Sequence, residues 1–245
     1  MDFSALQWVW LGIAAFAVGV SKMGLGSVVL LVIPVIASLF GGRESTGLIL
    51  PLLMVGDVFA VIYYKHHVQF RDIRRLLIWI CVGLGIGLFV GQYINDAQFK
   101  MLLSISVMIC LAAMIYAEVK GKPLTVPNKT VYHALIGILG GFASMVGNAA
   151  GAIISIYLLS REYPKDTYIS TNAWLFLILN LIKLPLQIFV WHNIGWGNAS
   201  MALLLIPAVF LGAVAGAWIV KRINEKLYRK IIYLMTLIAA AALWI

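Results

Sequence analysis

Eight long runs of apolar residues alternate with short polar stretches along the chain. Most of them are long enough to cross the roughly 30 Å hydrocarbon core of a bilayer as a helix. The first four runs, A to D, cover residues 3–42, 46–64, 76–94 and 101–117. The second four, A′ to D′, cover residues 131–160, 167–190, 199–219 and 231–245. The pattern predicts an all-α polytopic membrane protein.

The two halves of the chain carry the same residues in the same order at a constant spacing of 125 positions. The matched pairs include Gly26 with Gly151, Ser45-Thr46 with Ser170-Thr171, His67 with His192, and Gly87 with Gly212. Chance matches would not hold one offset, so we expect an internal duplication. The predicted repeats are residues 1–120 and 131–245, joined by a cytoplasmic linker at 121–130. Each repeat is expected to contain a glycine-broken hairpin and three transmembrane helices.

The composition excludes several classes of protein. Hydrophobic residues make up 63% of the chain and charged residues 11%, whereas soluble domains contain about 45–50% and 25%. The longest polar stretch, 118–130, is too short for an ATPase domain, a receptor ectodomain or a catalytic head. The sequence has no Ser/His/Asp arrangement, phosphate loop or metal-ligand spacing. We therefore expect a protein that is not an enzyme and uses no cofactor or metal.

The positions of the 18 Lys and Arg residues predict the topology, because short basic loops stay in the cytoplasm. The loops around 65–75 and 220–230 are basic, whereas the loop at 191–198 contains no Lys or Arg. The two loops that correspond in the duplication, 65–75 and 191–198, therefore face opposite sides, and the repeats are inverted. The chain is predicted to cross the cell (inner) membrane several times, with both termini on the outer side. Orientation accounts for the whole basic excess, so we expect no nucleic-acid partner.

This topology requires segments A and A′ to return to the side from which they enter. Segment A′ contains 30 residues without a charge, or about 45 Å as one straight helix, which exceeds the thickness of the core. It is interrupted at Gly140-Gly141 and at 147–151, and segment A is interrupted at 22–27. We therefore expect two hairpins, which enter the membrane from opposite sides and whose turns lie near each other.

The hairpin turns are the predicted substrate site. A break in a helix exposes backbone N–H and C=O groups, which persist in a membrane only where they are buried or line a wet cavity. Helix N-termini near the middle of the membrane favour an anion. The candidate binding residues are Lys22, Gly24, Gly26, Ser27, Gly147, Asn148 and Gly151. Alternatively, Lys22 extends to an interface and Asn148 makes a helix-packing hydrogen bond.

Other polar residues inside the apolar segments are candidates for coupling or for the vestibule. Asp57 in segment B could carry a coupling proton, or could be the structural partner of a lysine such as Lys183. Asn180 lies beside Lys183 in segment B′.

Hydroxyl and amide residues open the two B segments, namely Ser45, Thr46, Ser170, Thr171 and Asn172. N-capping is the simplest interpretation, and lining of the vestibule is the alternative. The spaced glycines of segments C and C′ predict close helix packing rather than substrate contact. These are Gly83, Gly87 and Gly91 in the first half, and Gly212 and Gly216 in the second.

The chain resembles the TauE/SafE sulfite exporter family over nearly all of its 245 residues. The similarity rests on size, on the duplication and on local features: the glycine-broken first segment followed by Pro34, the stretch from Gly141 to Gly151, and the basic loop before Gly87 and Gly91. The resemblance implies transport of sulfite, sulfonates or related sulfur-containing organic anions, usually outward. We expect a secondary transporter of a small anion in the lipid bilayer, with protons as candidate coupling ions. An anion channel and a non-transporting membrane scaffold are the alternatives.

Overall fold

The computed structural model describes residues 3–26, 28–95 and 130–224, with residues 97, 98, 101, 227, 228, 230, 231 and 234. Its α-helices are α1 (Ala5–Lys22), α2 (Ile33–Phe40), α3 (Gly42–Tyr63), α4 (Phe70–Tyr93), α5 (Thr130–Gly147), α6 (Ala150–Leu159), α7 (Lys165–Phe189) and α8 (Trp196–Arg222). A 3-10 helix, Val28–Leu31, precedes α2. No strand occurs in these residues. Predicted segments D and D′ lie almost entirely outside them.

Six of these helices are long and apolar enough to cross a membrane: α1, α3, α4, α5, α7 and α8. This confirms the predicted all-α, multi-pass membrane architecture. The boundaries of the duplication, 1–120 and 131–245, are untested and stay a prediction.

The first hairpin consists of α1, the 3-10 helix and α2. Helix α1 begins after Ser4, whose side chain forms a capping box with Gln7, and it ends at Lys22. Gly24 has a φ of 122°, a conformation that L side chains rarely adopt, and the helix cannot continue through it. The rings of Phe3 and Phe40 lie 5.5 Å apart. The chain therefore returns to the end of the bundle from which it started.

The second hairpin consists of α5 and α6. Helix α5 ends at Gly147, and Asn148 has a φ of 55°, a left-handed conformation that asparagine tolerates. At the other end of the hairpin, the rings of His133 and Tyr157 lie 5.5 Å apart. The predicted breaks at 22–27 and 147–151 are therefore present, and both segments fold back. The predicted break at Gly140-Gly141 is wrong, because α5 continues without interruption through both glycines.

The two hairpins open at opposite ends of the bundle. The first hairpin leads directly into the start of α3, an end that we name the predicted outer end. The second hairpin opens beside the start of α4, where Arg161 Nε lies 3.9 Å from Asp72 Oδ2. We name this opposite end the predicted inner end. The inversion of the two repeats and the position of each end relative to the membrane stay predictions.

Glycines allow each hairpin to pack directly against a helix of the other half. A Cβ atom at Gly83 in α4 would lie 2.1 Å from the carbonyl oxygen of Ile138 in α5. A Cβ atom at Gly212 in α8 would lie 2.0 Å from the carbonyl oxygen of Phe16 in α1. Such distances are far below contact, so only glycine permits these approaches. The predicted close packing at these glycines is confirmed.

The N-capping interpretation of the hydroxyl residues is wrong. Helix α3 already begins at Gly42 and α7 at Lys165, so these residues lie inside the helices. Instead of receiving a backbone N–H, Ser45 donates to the carbonyl of Gly42 at 2.7 Å, and Thr46 donates to that of Arg43 at 2.8 Å. Such hydrogen bonds to the preceding turn are common for Ser and Thr in apolar helices.

The tips of the two hairpins overlap rather than meet end to end. Each first arm, α1 and α5, has 18 residues, or about 27 Å, which nearly crosses the hydrocarbon core. The tip of α1 reaches Asp57 of α3, whereas Asn148 reaches Thr46. These two α3 residues are 11 positions apart (57 minus 46), or about 16 Å along the helix. The polar groups of the tips therefore lie at different depths.

Candidate functional site

Lys22 is held in a buried ion pair. Its Nζ lies 2.6 Å from Asp57 Oδ1, and the side chains of Lys22 and Asp57 are 8% and 0% exposed. Asn180 donates from Nδ2 to Asp57 Oδ2 at 2.6 Å. The ammonium also lies 4.6 Å from the centre of the Phe176 ring, within the range of a cation–π interaction. The first hairpin is thereby attached to both α3 and α7.

Lys183 is a second cation near the same tips. It is completely buried, and its Nζ donates to Asn148 Oδ1 and, at 2.5 Å, to the carbonyl oxygen of Ser144. Both acceptors are neutral. Asp57, which the sequence allowed as a partner of Lys183, pairs with Lys22 instead, because the tip of α1 lies closer to it in the fold.

With both lysines protonated, the site carries a formal net positive charge. Its charged groups among the described residues are two lysines and one aspartate, which sum to +1. A buried charge is costly unless it is paired. Lys183 has partial compensation from two oxygen dipoles but no carboxylate. An anion would complete the compensation.

A cavity of about 30 Å³ lies between the two hairpins, which is room for roughly two water-sized spheres. It is lined by residues of both hairpins and of α3 and α7, including Ser21, Lys22, Gly26, Asn148, Gly151 and Asn180. A Cβ atom at Gly151 would lie 3.4 Å from the carbonyl oxygen of Gly26. The two turns are thus near each other, as predicted.

Several of the backbone groups predicted to bind an anion already have partners. The N–H of Gly24 donates to the carbonyl of Ser21 at 3.3 Å, and its carbonyl accepts from Tyr228 Oη at 2.7 Å. The N–H of Asn148 donates to the carbonyl of Ser144 at 3.1 Å. Gly147 is the last residue of α5 and is buried. Ser27 lies outside the described residues. Side chains, rather than these N–H groups, are the donors that the site offers.

The vestibule candidates separate into different locations. Asn172 lines the cavity. Thr46 contacts the site through its carbonyl, which accepts from Asn148 Nδ2 at 3.3 Å. Thr171 does not contribute, because its hydroxyl accepts from the backbone N–H of Gln69 at 3.0 Å and attaches α7 to the start of α4.

Sequence reasoning missed Ser144, Phe176 and Gln187. A signal was present on α7, where the site residues recur at spacings of four, four, three and four: Asn172, Phe176, Asn180, Lys183 and Gln187. Such spacings place side chains on one helix face. Ser144 acts through its backbone carbonyl, and only the fold could identify it.

The fold agrees with a comparison against known families. The model of the family described as "Sulfite exporter TauE/SafE" matches residues 11–243. The chain therefore belongs to the TauE/SafE family, which is a family of membrane transporters. Comparison with curated proteins and with solved structures gave no match.

Proposed function

We propose that this protein is a secondary carrier that exports a small sulfur oxyanion, sulfite or a sulfonate, across the cell membrane without an enzymatic step. The family supports a transporter of sulfur-containing anions. The observation that carries the finer proposal is the charge of the site. Lys183 is fully buried against Ser144 and Asn148 of the second hairpin, and the carboxylate of Asp57 is paired with Lys22.

The anion binds beside Lys183 and Asn148 once the hairpins separate around it. It compensates the charge of Lys183 and accepts hydrogen bonds from the ammonium and from the amide Nδ2. Lys22 lines the cavity as well, and its charge is balanced by Asp57. Since the two hairpins open toward opposite ends, alternate loosening of each one would expose the same site to each side in turn.

Lys183→Met tests the site. It removes the charge with little change in shape, and a lost charge-assisted hydrogen bond costs about 1.5–3 kcal/mol, or roughly 10- to 150-fold in affinity. Wild-type protein in detergent should be stabilised against heat by sulfite, and Lys183→Met should not. Lys183→Arg should retain part of the effect. An equal sulfite response in wild type and in Lys183→Met would place the anion elsewhere.

Exchange of radiolabelled sulfite in proteoliposomes tests the mechanism. A carrier shows saturable counterflow, in which unlabelled sulfite inside accelerates the entry of label. Flux that rises linearly with concentration and shows no counterflow would indicate an anion channel. Stabilisation by sulfite with no flux of any kind would indicate a membrane protein that binds the anion but does not transport it.

A further inference from the structure

A continuous series of polar side chains leads from the anion site toward the predicted outer end. Asn148, which accepts from Lys183, donates from Nδ2 to the carbonyl of Thr46. The hydroxyl of Thr46 accepts from Gln187 Nε2 at 3.3 Å and from Asn193 Nδ2 at 3.2 Å. Asn193 Nδ2 also donates to the carbonyl of Arg43 at 2.9 Å. Hydrogen bonds thus connect the buried Lys183 with Arg43 in the first turn of α3.

The polar groups of this series are incompletely satisfied. Gln187 is 0% and Asn193 5% exposed, yet Gln187 Oε1, Asn193 Oδ1 and Arg43 Nε have no hydrogen-bond partner among the residues that the structure describes. An unpaired buried polar atom costs about 1–3 kcal/mol, and native proteins retain few of them. Two of these atoms are acceptor oxygens, which water can satisfy, and Arg43 Nε is a donor, which a passing oxyanion can satisfy.

Arg43 provides a cation at the outer end of this path. Its Nη2 donates to the carbonyl of Trp191 at 3.2 Å, and its guanidinium lies 5.1 Å from the centre of the Trp191 ring. The Trp191 ring fits there because a Cβ atom at Gly91 would lie 2.5 Å from its Cζ2. Arg43 is half-buried. Packing on the ring fixes the guanidinium while part of it remains accessible.

From this arrangement we infer that Arg43, Thr46, Gln187 and Asn193 form the outer passage for the anion, with Arg43 as its terminal binding residue. The inference rests on the proposed function, since it assumes that an anion binds at Lys183. The four residues bring one cation and no carboxylate, so their charge favours an oxyanion over a metal cation. An anion that leaves Lys183 moves between donors instead of entering apolar surroundings alone.

The test compares binding with transport in Arg43→Gln, Arg43→Lys, Asn193→Asp and the control Arg74→Gln. The control removes the same charge from an exposed arginine at the predicted inner end. Sulfite-dependent thermal stabilisation reports binding at Lys183, and sulfite exchange in proteoliposomes reports passage. Arg43→Gln should keep the stabilisation by sulfite. It should exchange sulfite at least about tenfold more slowly, because tenfold is the lower limit of the gain in association rate that a charged entrance provides. Its exchange rate should also depend less on external ionic strength.

Arg43→Lys should recover part of the exchange rate, since it restores the charge without the planar geometry. Asn193→Asp should slow exchange even if Arg43→Gln does not fold, because it places a negative charge in the passage. Exchange at the wild-type rate in Arg43→Gln, or in a folded Asn193→Asp, would overturn the inference. Loss of sulfite stabilisation in Arg43→Gln would also overturn it, because Arg43 would then belong to the central site. An absence of sulfite stabilisation in the wild type would instead reject the proposed function.

Discussion

Removing the charge of Lys22 should destabilise the protein strongly, and Lys22→Met is the appropriate substitution. It retains the length of the side chain and its contact with Phe176, but it leaves the fully buried carboxylate of Asp57 with Asn180 as its hydrogen-bond donor. Breaking a buried pair by removing one partner costs about 3–5 kcal/mol. This is a large part of the roughly 5–15 kcal/mol that stabilises a typical folded protein. The free energy of unfolding in mixed detergent and SDS micelles measures the effect.

The double substitution Lys22→Met, Asp57→Leu separates the buried charge from loss of packing. Since it removes both charges, its stability should lie within about 1 kcal/mol of wild type or above it. Lys65→Met, an exposed lysine after α3, should change stability by about 0.5 kcal/mol at most. The reasoning would be refuted if Lys22→Met were as stable as Lys65→Met. A double variant as unstable as Lys22→Met would show that packing, not charge, determines the effect.

Three further predictions concern packing, pH and topology. Gly212→Leu should destabilise the bundle by about 1–3 kcal/mol through overpacking. Gly12→Ala should be tolerated, because a Cβ atom there would meet nothing within 4 Å. The free energies of unfolding of the two variants in the same micelles test this. Burial and hydrogen bonding to a neighbouring carboxylate raise the pKa of Tyr163, so the folded state holds the phenol proton more tightly than the unfolded state does. The contribution of this proton to stability is therefore present below about pH 10 and declines above it. Tyr163→Phe should therefore weaken the alkaline loss of stability in a pH series. Cysteines at positions 70 and 196 of a cysteine-free variant should react with an impermeant reagent from opposite sides of the membrane, and labelling of both from one side would disprove the inverted topology.

The sequence predicted the helices well because their signals are local. Long uncharged runs, glycine interruptions and basic loops each lie within a short stretch of chain, and the breaks after Lys22 and Gly147 appear where they were expected. Helix starts were less accurate, since charged first turns such as Arg43-Glu44 concealed the beginning of α3. The hydroxyl residues were consequently assigned as caps, although they lie inside the helices.

The charge pairing could not be predicted from the sequence. Lys22 and Lys183 both lie in apolar segments, and either could have been the partner of Asp57. The choice depends on the depth that each hairpin tip reaches, which is set by the length of α1 and by its close packing on α8 at Gly212 and Gly216. These are long-range contacts that leave no local pattern.

The amino-acid sequence by itself determined the membrane class, the two broken segments and the presence of intramembrane lysines, because a bilayer imposes strict local rules on apolarity, charge and backbone hydrogen bonding. Only the tertiary structure decided which lysine pairs with Asp57 and which donates to neutral oxygen atoms. That outcome depends on a 2.6 Å contact between residues 35 positions apart (57 minus 22). Electrostatic energy varies steeply with distance and burial, so residue types alone leave the role of each lysine open until the fold sets their separations.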